Sequence, residues 1–206
     1  MLKKIPALLT VLGFASLFLL LVAGPLYRWQ FVELGLAFGL LRWAAYIGIA
    51  AVVLIVVYLI WQRPRGARLA LLTVAALAAF TSFYLPYQQL QTAQSVPAIH
   101  DISTDLDNPP AFVAIAPLRE NAPNPVEYAG AETAAQQRKA YPDLRAHYFT
   151  QNKERVFQAV LSTVNAMGWQ LVASDLTEGR IEATDTTFWF GFKDDVVVRL
   201  QQESDQ

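Results

Sequence analysis

The sequence predicts an α+β outer domain, an antiparallel sheet with a covering helix, attached to an all-α membrane anchor of about three transmembrane helices. Three observations lead there. Charge is divided sharply near residue 87, three apolar runs precede that point, and a helical period gives way to strand alternation near the C-terminus.

The 206 residues are 54% hydrophobic and 16% charged, against roughly 45–50% and about 25% in a soluble domain. Mean hydropathy is +0.30 and the pI about 6.1. Disordered, collagen-like and disulfide-stapled chains are excluded by this composition. A net charge of −1 excludes a nucleic-acid partner. The absence of cysteine removes thiolate metal sites and thiol nucleophiles.

Residues 1–86 hold seven basic residues and one acid, Glu33, for a charge of +6. Residues 87–206 hold nine basic and sixteen acidic residues, for −7. The first part reads as an anchor and the second as an acidic globular domain.

The clearest span is Trp43–Trp61, nineteen residues without a charge. As a helix it covers about 28 Å, close to the ~30 Å hydrocarbon core. Trp43 and Tyr46 at one end, and Tyr58 and Trp61 at the other, suit the headgroup level. Further spans are expected at about 5–24 and 69–85. The first resembles a signal peptide, but Pro25 directly after Gly24 makes a poor cleavage site, so an uncleaved anchor is expected. Residues 31–41 are too short to span and contain Glu33, which predicts an interfacial or re-entrant helix. Gly35-Leu-Ala-Phe-Gly39 has the small-xxx-small spacing of close helix approach. Residues 87–99 read as a polar linker, and 100–206 as the outer domain.

Positive charge sets orientation. Lys3, Lys4, Arg63, Arg65 and Arg68 outnumber Arg28 and Arg42 on the opposite side. This predicts a multi-pass protein of the bacterial inner (cytoplasmic) membrane, with a cytoplasmic N-terminus and a periplasmic C-terminal domain.

In the outer domain, Asn108-Pro-Pro110, Ala122-Pro-Asn-Pro125 and Tyr141-Pro-Asp143 predict extended segments, with a short helix at 131–140. Asn152 is a favourable N-cap, Glu154 suits the first turn, and Val156, Phe157, Val160, Leu161, Val164 and Met167 form one apolar stripe. A strand is expected at 169–174, a turn at 176–179, a strand from Arg180, a turn at Asp194-Asp195 and a strand at 196–200.

His100-Asp-Ile-Ser-Thr-Asp105, Pro109-Pro-x-Phe112, Gln137 to Asp143, Met167-Gly-Trp169 and, above all, Gly179 to Arg199 resemble the domain-of-unknown-function family 1499, over about residues 96–200. Members of that family often carry an N-terminal membrane region. The resemblance implies no biochemical activity. Family members usually continue with a further strand and a closing helix. Here Gln-Gln-Glu-Ser-Asp-Gln follows, which leaves the last strand as an edge or reflects a truncated sequence.

Two polar groups are candidate sites. His100, Asp101 and Asp105, with Asp107, have the residue types of a metal or acid–base constellation. They lack the glycine of a calcium loop, and they suit a turn network equally. Asp185, Asp194 and Arg199, roofed by Trp189, are candidate ligand-binding residues, with cross-strand ion pairing as the alternative. Phe188-Trp-Phe190 and Phe192 are too many aromatics for one core face. No phosphate loop, nucleophile elbow or zinc motif occurs, and no metal or cofactor is expected. These readings favour a non-enzymatic binding or scaffolding module. Its partners are the bilayer and an envelope protein or lipid-like ligand. The alternative is an envelope hydrolase or metal-dependent enzyme using His100, Asp101 and Asp105.

Overall fold

A computed structural model describes residues 4–120, 122 and 124–203. Asn121 and Pro123, within one of the expected extended segments, lie outside the described residues. The chain divides into two compact units. The first comprises residues 1–95 with 188–191, the second residues 96–187 with 192–206.

The first unit contains α1 (Ile5–Arg28), α2 (Leu34–Gln62) and α3 (Ala67–Ser95), each long and apolar enough to cross a membrane. Its packing is inverted relative to a water-soluble bundle. Gly13, Ser16, Ala44, Gly48, Ala51, Ala75, Ala79 and Ser82 are buried, while Leu8, Phe18, Val57 and Ile60 face outward. Lipid tails are as apolar as leucine, so small residues that admit a neighbouring backbone decide where the helices meet. A larger-residue layer of Leu9, Ile55 and Leu72 completes the contact at the other end.

Two expectations are corrected here. Residues 34–41 are the first turns of α2 and run through Arg42 into 43–61 without a break, so 31–41 is no separate interfacial or re-entrant helix. A charge limits an apolar run, but it does not interrupt N–H···O=C bonding along the backbone. Residues 87–95, expected as a linker, continue α3. Gln, Leu, Thr and Ala sustain the helix, which ends where Pro97 biases Val96 toward extended backbone.

The second unit holds a 3₁₀ turn (Ala116–Arg119), α4 (Ala131–Ala140), α5 (Lys153–Ala166) and strands β1 (Gln170–Asp175), β2 (Arg180–Thr186) and β3 (Lys193–Arg199). Asn152 caps α5 by accepting a hydrogen bond from the Arg155 amide at 3.0 Å. The three strands form an antiparallel sheet in the order β1-β2-β3, with an irregularity in β1 between Leu171 and Ala173. Between β1 and β2, Gly179 takes the left-handed φ of 69° required by its turn.

The strand β2 is covered on both faces. Ile181 and Ala183 pack with Phe157 and Val164 of α5, as helix-on-sheet layering requires. Glu182 and Thr184, on the opposite face, are buried as well, and the amides of 113–115 lie against Glu182.

The turn expected at Asp194-Asp195 is not there. Asp194 pairs with Asp185, and Asp195 with Thr184, inside β3. The reversal comes earlier. The Thr187 amide donates to the Phe192 carbonyl, and the Phe192 amide to Thr187 Oγ1, both at 2.9 Å. Gly191, at φ 72°, supplies the backbone freedom there.

Candidate functional site

Strand alternation places Arg180, Glu182 and Thr184 on one face of β2, opposite Arg199, Val197 and Asp195 of β3. The segment leading from Asp105 to Arg119 is fastened to that face at three points.

The central point is Glu182, whose side chain is 0% exposed. Its Oε1 accepts from the amides of Val113 and Ala114 at 3.0 and 3.1 Å, and Oε2 from Ile115 at 2.8 Å. Arg180 Nε lies 3.1 Å from Oε1. A buried carboxylate is tolerable only with such compensation, and here three backbone donors and one cation supply it. At the second point, Asp195 accepts from Thr184 Oγ1 and pairs with Arg119 at 3.2 Å. At the third, Arg199 donates to Asp105 Oδ2 at 2.8 Å and to the Asn108 carbonyl at 2.6 Å.

The candidate residues divide accordingly. Asp105 and Arg199 are joined, although they came from different candidate groups. Asp105 Oδ1 also accepts from the amides of Asp107 and Asn108, so this carboxylate closes a turn. His100 is exposed and makes no hydrogen bond or ion pair among the described residues. Asp101 acts on Tyr128. No group of three or more His, Cys, Asp or Glu side chains is arranged to hold a metal ion among the described residues.

Asp185 and Asp194 face each other across β2 and β3 on the α5 side of the sheet. Arg199 lies five residues along β3, about 17 Å away, on the other face. The proposed pocket of Asp185, Asp194 and Arg199 is therefore not assembled. Strand parity and distance both separate its members.

Tyr128 carries the unit's unsatisfied group. Its buried hydroxyl has no hydrogen-bond partner among the described residues. Burial raises its pKa above the ordinary value of 10.0, the Asp101 charge raises it further, and Arg138 opposes both. A raised folded-state pKa favours the neutral phenol. The associated stability is intact below pH 10 and is lost as pH rises past the folded value. Tyr128→Phe removes a polar atom that has lost water without gaining a partner among the described residues. The expected result is a gain of up to about 1 kcal/mol at neutral pH, read as a higher Tm of the full chain in mild detergent, with a smaller loss of stability at alkaline pH.

Trp189 occupies a different setting, within the helical unit. Pro25 has no N–H, so the Leu21 carbonyl four residues earlier loses its usual helical donor. The Trp189 indole N–H donates to that carbonyl at 3.2 Å. Gly24 makes the approach possible, because a Cβ there would lie 2.6 Å from the indole Cδ1. Arg28 donates to the Phe188 carbonyl. Phe190 is buried against Tyr27 and Phe38. The Gly24-Pro25 pair, expected only to obstruct cleavage, is thus a notch for an indole ring. Trp189→Phe keeps an aromatic ring, though a smaller one, and deletes the donor. It should lower stability by about 1 kcal/mol, visible as a reduced Tm and as faster proteolysis at 186–193.

Beside this notch lies a niche of about 370 Å³. Tyr27, Phe31, Val32 and Phe190 give it an apolar side, while Arg28, Gln30 and Glu33 make the rest polar, with one charge of each sign. Gln30, on its rim, holds a φ of 60°, unusual for a non-glycine residue.

The profile of the family described as protein of unknown function (DUF1499) matches residues 101–206, just over half the chain. The chain belongs to this family. The matched region includes all three fastening points and the aromatic loop, whereas the helices of the first unit lie outside it. No curated protein and no solved structure matches the chain. Sequence reasoning missed the role of Glu182, and of Arg119, which it never singled out. The available signal was an acid in the middle of an alternating strand, where a carboxylate must find buried donors if both faces are covered.

Proposed function

We propose that this DUF1499 member is a multi-pass protein of the bacterial inner membrane whose periplasmic domain, with its aromatic loop, serves as a non-enzymatic binding module for a lipid-like ligand. The niche beside Arg28 carries the reading. Its lining, part aromatic and part polar with one charge of each sign, matches a molecule with an apolar body and a polar head. The excess of Lys and Arg before α1 and between α2 and α3 supports the orientation. A hydrolase or metal-dependent reading at His100, Asp101 and Asp105 draws no support, since Asp105 is engaged by Arg199 and two backbone amides.

Purification in mild detergent followed by lipid extraction and mass spectrometry tests the binding reading. A stoichiometric lipid that is retained by the parent chain and lost from Glu33→Ala supports it. A preparation free of bound lipid overturns it. Reporter fusions after residue 96 test the orientation, and activity on the cytoplasmic side would reverse it.

A further inference from the structure

The loop between β2 and β3 presents its aromatic residues unequally. Phe190 is buried, Trp189 is half-buried with its N–H on Leu21, and Phe188 is 89% exposed. This exposure belongs to a fixed backbone. Arg28 holds the Phe188 carbonyl, and a Cβ on Gly191 would meet the Arg28 side chain at 2.8 Å. Trp29 and Phe31, at the end of α1 and in the following turn, are 66% and 72% exposed. In water, such bare rings would leave a large apolar surface unburied.

We propose that Phe188, together with Trp29 and Phe31, seats this loop in the headgroup–acyl boundary of the bilayer, as a membrane contact additional to the three spans. Three observations agree. Phe14, Phe18 and Leu21 of α1 are exposed as these rings are, and spacings of four and three residues set them on one face of the helix. The loop Thr186–Phe192 contains no charged residue, with Asp185 and Lys193 bounding it, as a low-dielectric boundary requires. Depth also fits. Leu21 lies seven residues inside the end of α1, about 10 Å along the axis, and interfacial elements bury their apolar face by about 5–10 Å. The Arg28 guanidinium sits 5.9 Å from the Phe188 ring centroid, a cation–π arrangement that keeps its remaining donors near lipid phosphates.

The proposal is independent of ligand binding in the niche, and either stands if the other fails. The chain has no cysteine, so single labels report cleanly. Phe188→Cys, Trp29→Cys and Phe14→Cys, each carrying an environment-sensitive fluorophore, are compared in nanodiscs of phosphatidylethanolamine and phosphatidylglycerol. Lipids with a spin label near the headgroup or deep in the acyl chain act as quenchers, and iodide probes the aqueous phase. The labels at 188 and 29 should lose most emission to the shallow quencher and little to iodide, and the label at 14 most to the deep quencher. Strong iodide quenching at 188, while 29 remains at the boundary, would overturn the proposal. Protection of 188 from both lipid and iodide would also overturn it, by assigning the ring to a protein partner or a second copy. An unchanged Tm of the labelled Phe188→Cys chain verifies its fold, and Phe188→Tyr should retain membrane contact in the same nanodiscs by showing unchanged protection of 186–192 from proteolysis.

Discussion

Glu182→Ala should lower the stability of the full-length protein by about 3–5 kcal/mol, the range measured when one partner of a buried charged pair is removed. The expectation follows from what remains. Three amides, at Val113, Ala114 and Ile115, lose their acceptor, and Arg180 loses its carboxylate. A domain is typically stable by only about 5–15 kcal/mol, so this one substitution removes much of the margin. Glu182→Gln keeps the shape and one acceptor oxygen but turns an NH₂ group toward a backbone donor. Its effect should be smaller, about 1–3 kcal/mol. Hydrogen exchange on the intact chain in detergent distinguishes local from global failure. Exchange at 113–115 should accelerate in both variants, while the amides of α1, α2 and α3 retain their protection. Unchanged exchange at 113–115 in Glu182→Ala would show that Glu182 does not hold this segment.

The same residue shows what was legible beforehand. In a strand that starts at Arg180, alternation alone puts Glu182 on the face opposite Ile181, since parity along a strand is a local property. The polar face of that strand is buried because a segment some seventy residues earlier returns across it, and no local pattern records such a return. Helix α5 was legible almost to the residue, because Asn152 and the apolar stripe are local signals. The end of β2 was not. Aromatic residues favour strands, so Phe188–Phe190 read as strand continuation, and the aspartates read as the turn. The deciding fact was the positive φ of Gly191. Of the site candidates, the sequence identified Asp105, Arg199 and Trp189 as residues with something to do. It could not pair Asp105 with Arg199, ninety-four positions apart, or Trp189 with Leu21. Pro25 was the one advance clue to the latter, as a helical proline leaves a carbonyl requiring another donor.

Gly48→Leu should be among the most disruptive single changes in the helical unit. Even a methyl group at 48 would lie 2.2 Å from Ser82 Oγ and 2.6 Å from the Ala79 carbonyl oxygen, and the latter belongs to backbone that cannot swing away. Separation of α2 from α3 is then required. It would stretch the 3.3 Å hydrogen bond from Ser82 Oγ to the Ala44 carbonyl and open the adjoining alanine contacts. Overpacking commonly costs about 1–3 kcal/mol, and a leucine at a backbone-to-backbone crossing belongs at the upper end. Thermal unfolding in a fixed detergent should reveal a lowered midpoint. Ser82→Ala in the Gly48→Leu background should recover only part, since it removes the hydroxyl contact but leaves Ala79 in place. The decisive comparison is Gly35→Leu and Gly39→Leu. These glycines carry the small-xxx-small spacing, yet a Cβ at either meets nothing within 4 Å. Replacement there should leave the bundle intact and slightly improve helix propensity, by about 0.5–1 kcal/mol per glycine removed. Equal damage at 35, 39 and 48 would mean that α2 packs through a different face; damage confined to 48 assigns the helix crossing to Gly48, Ala79 and Ser82, where close backbone approach leaves no room for a side chain.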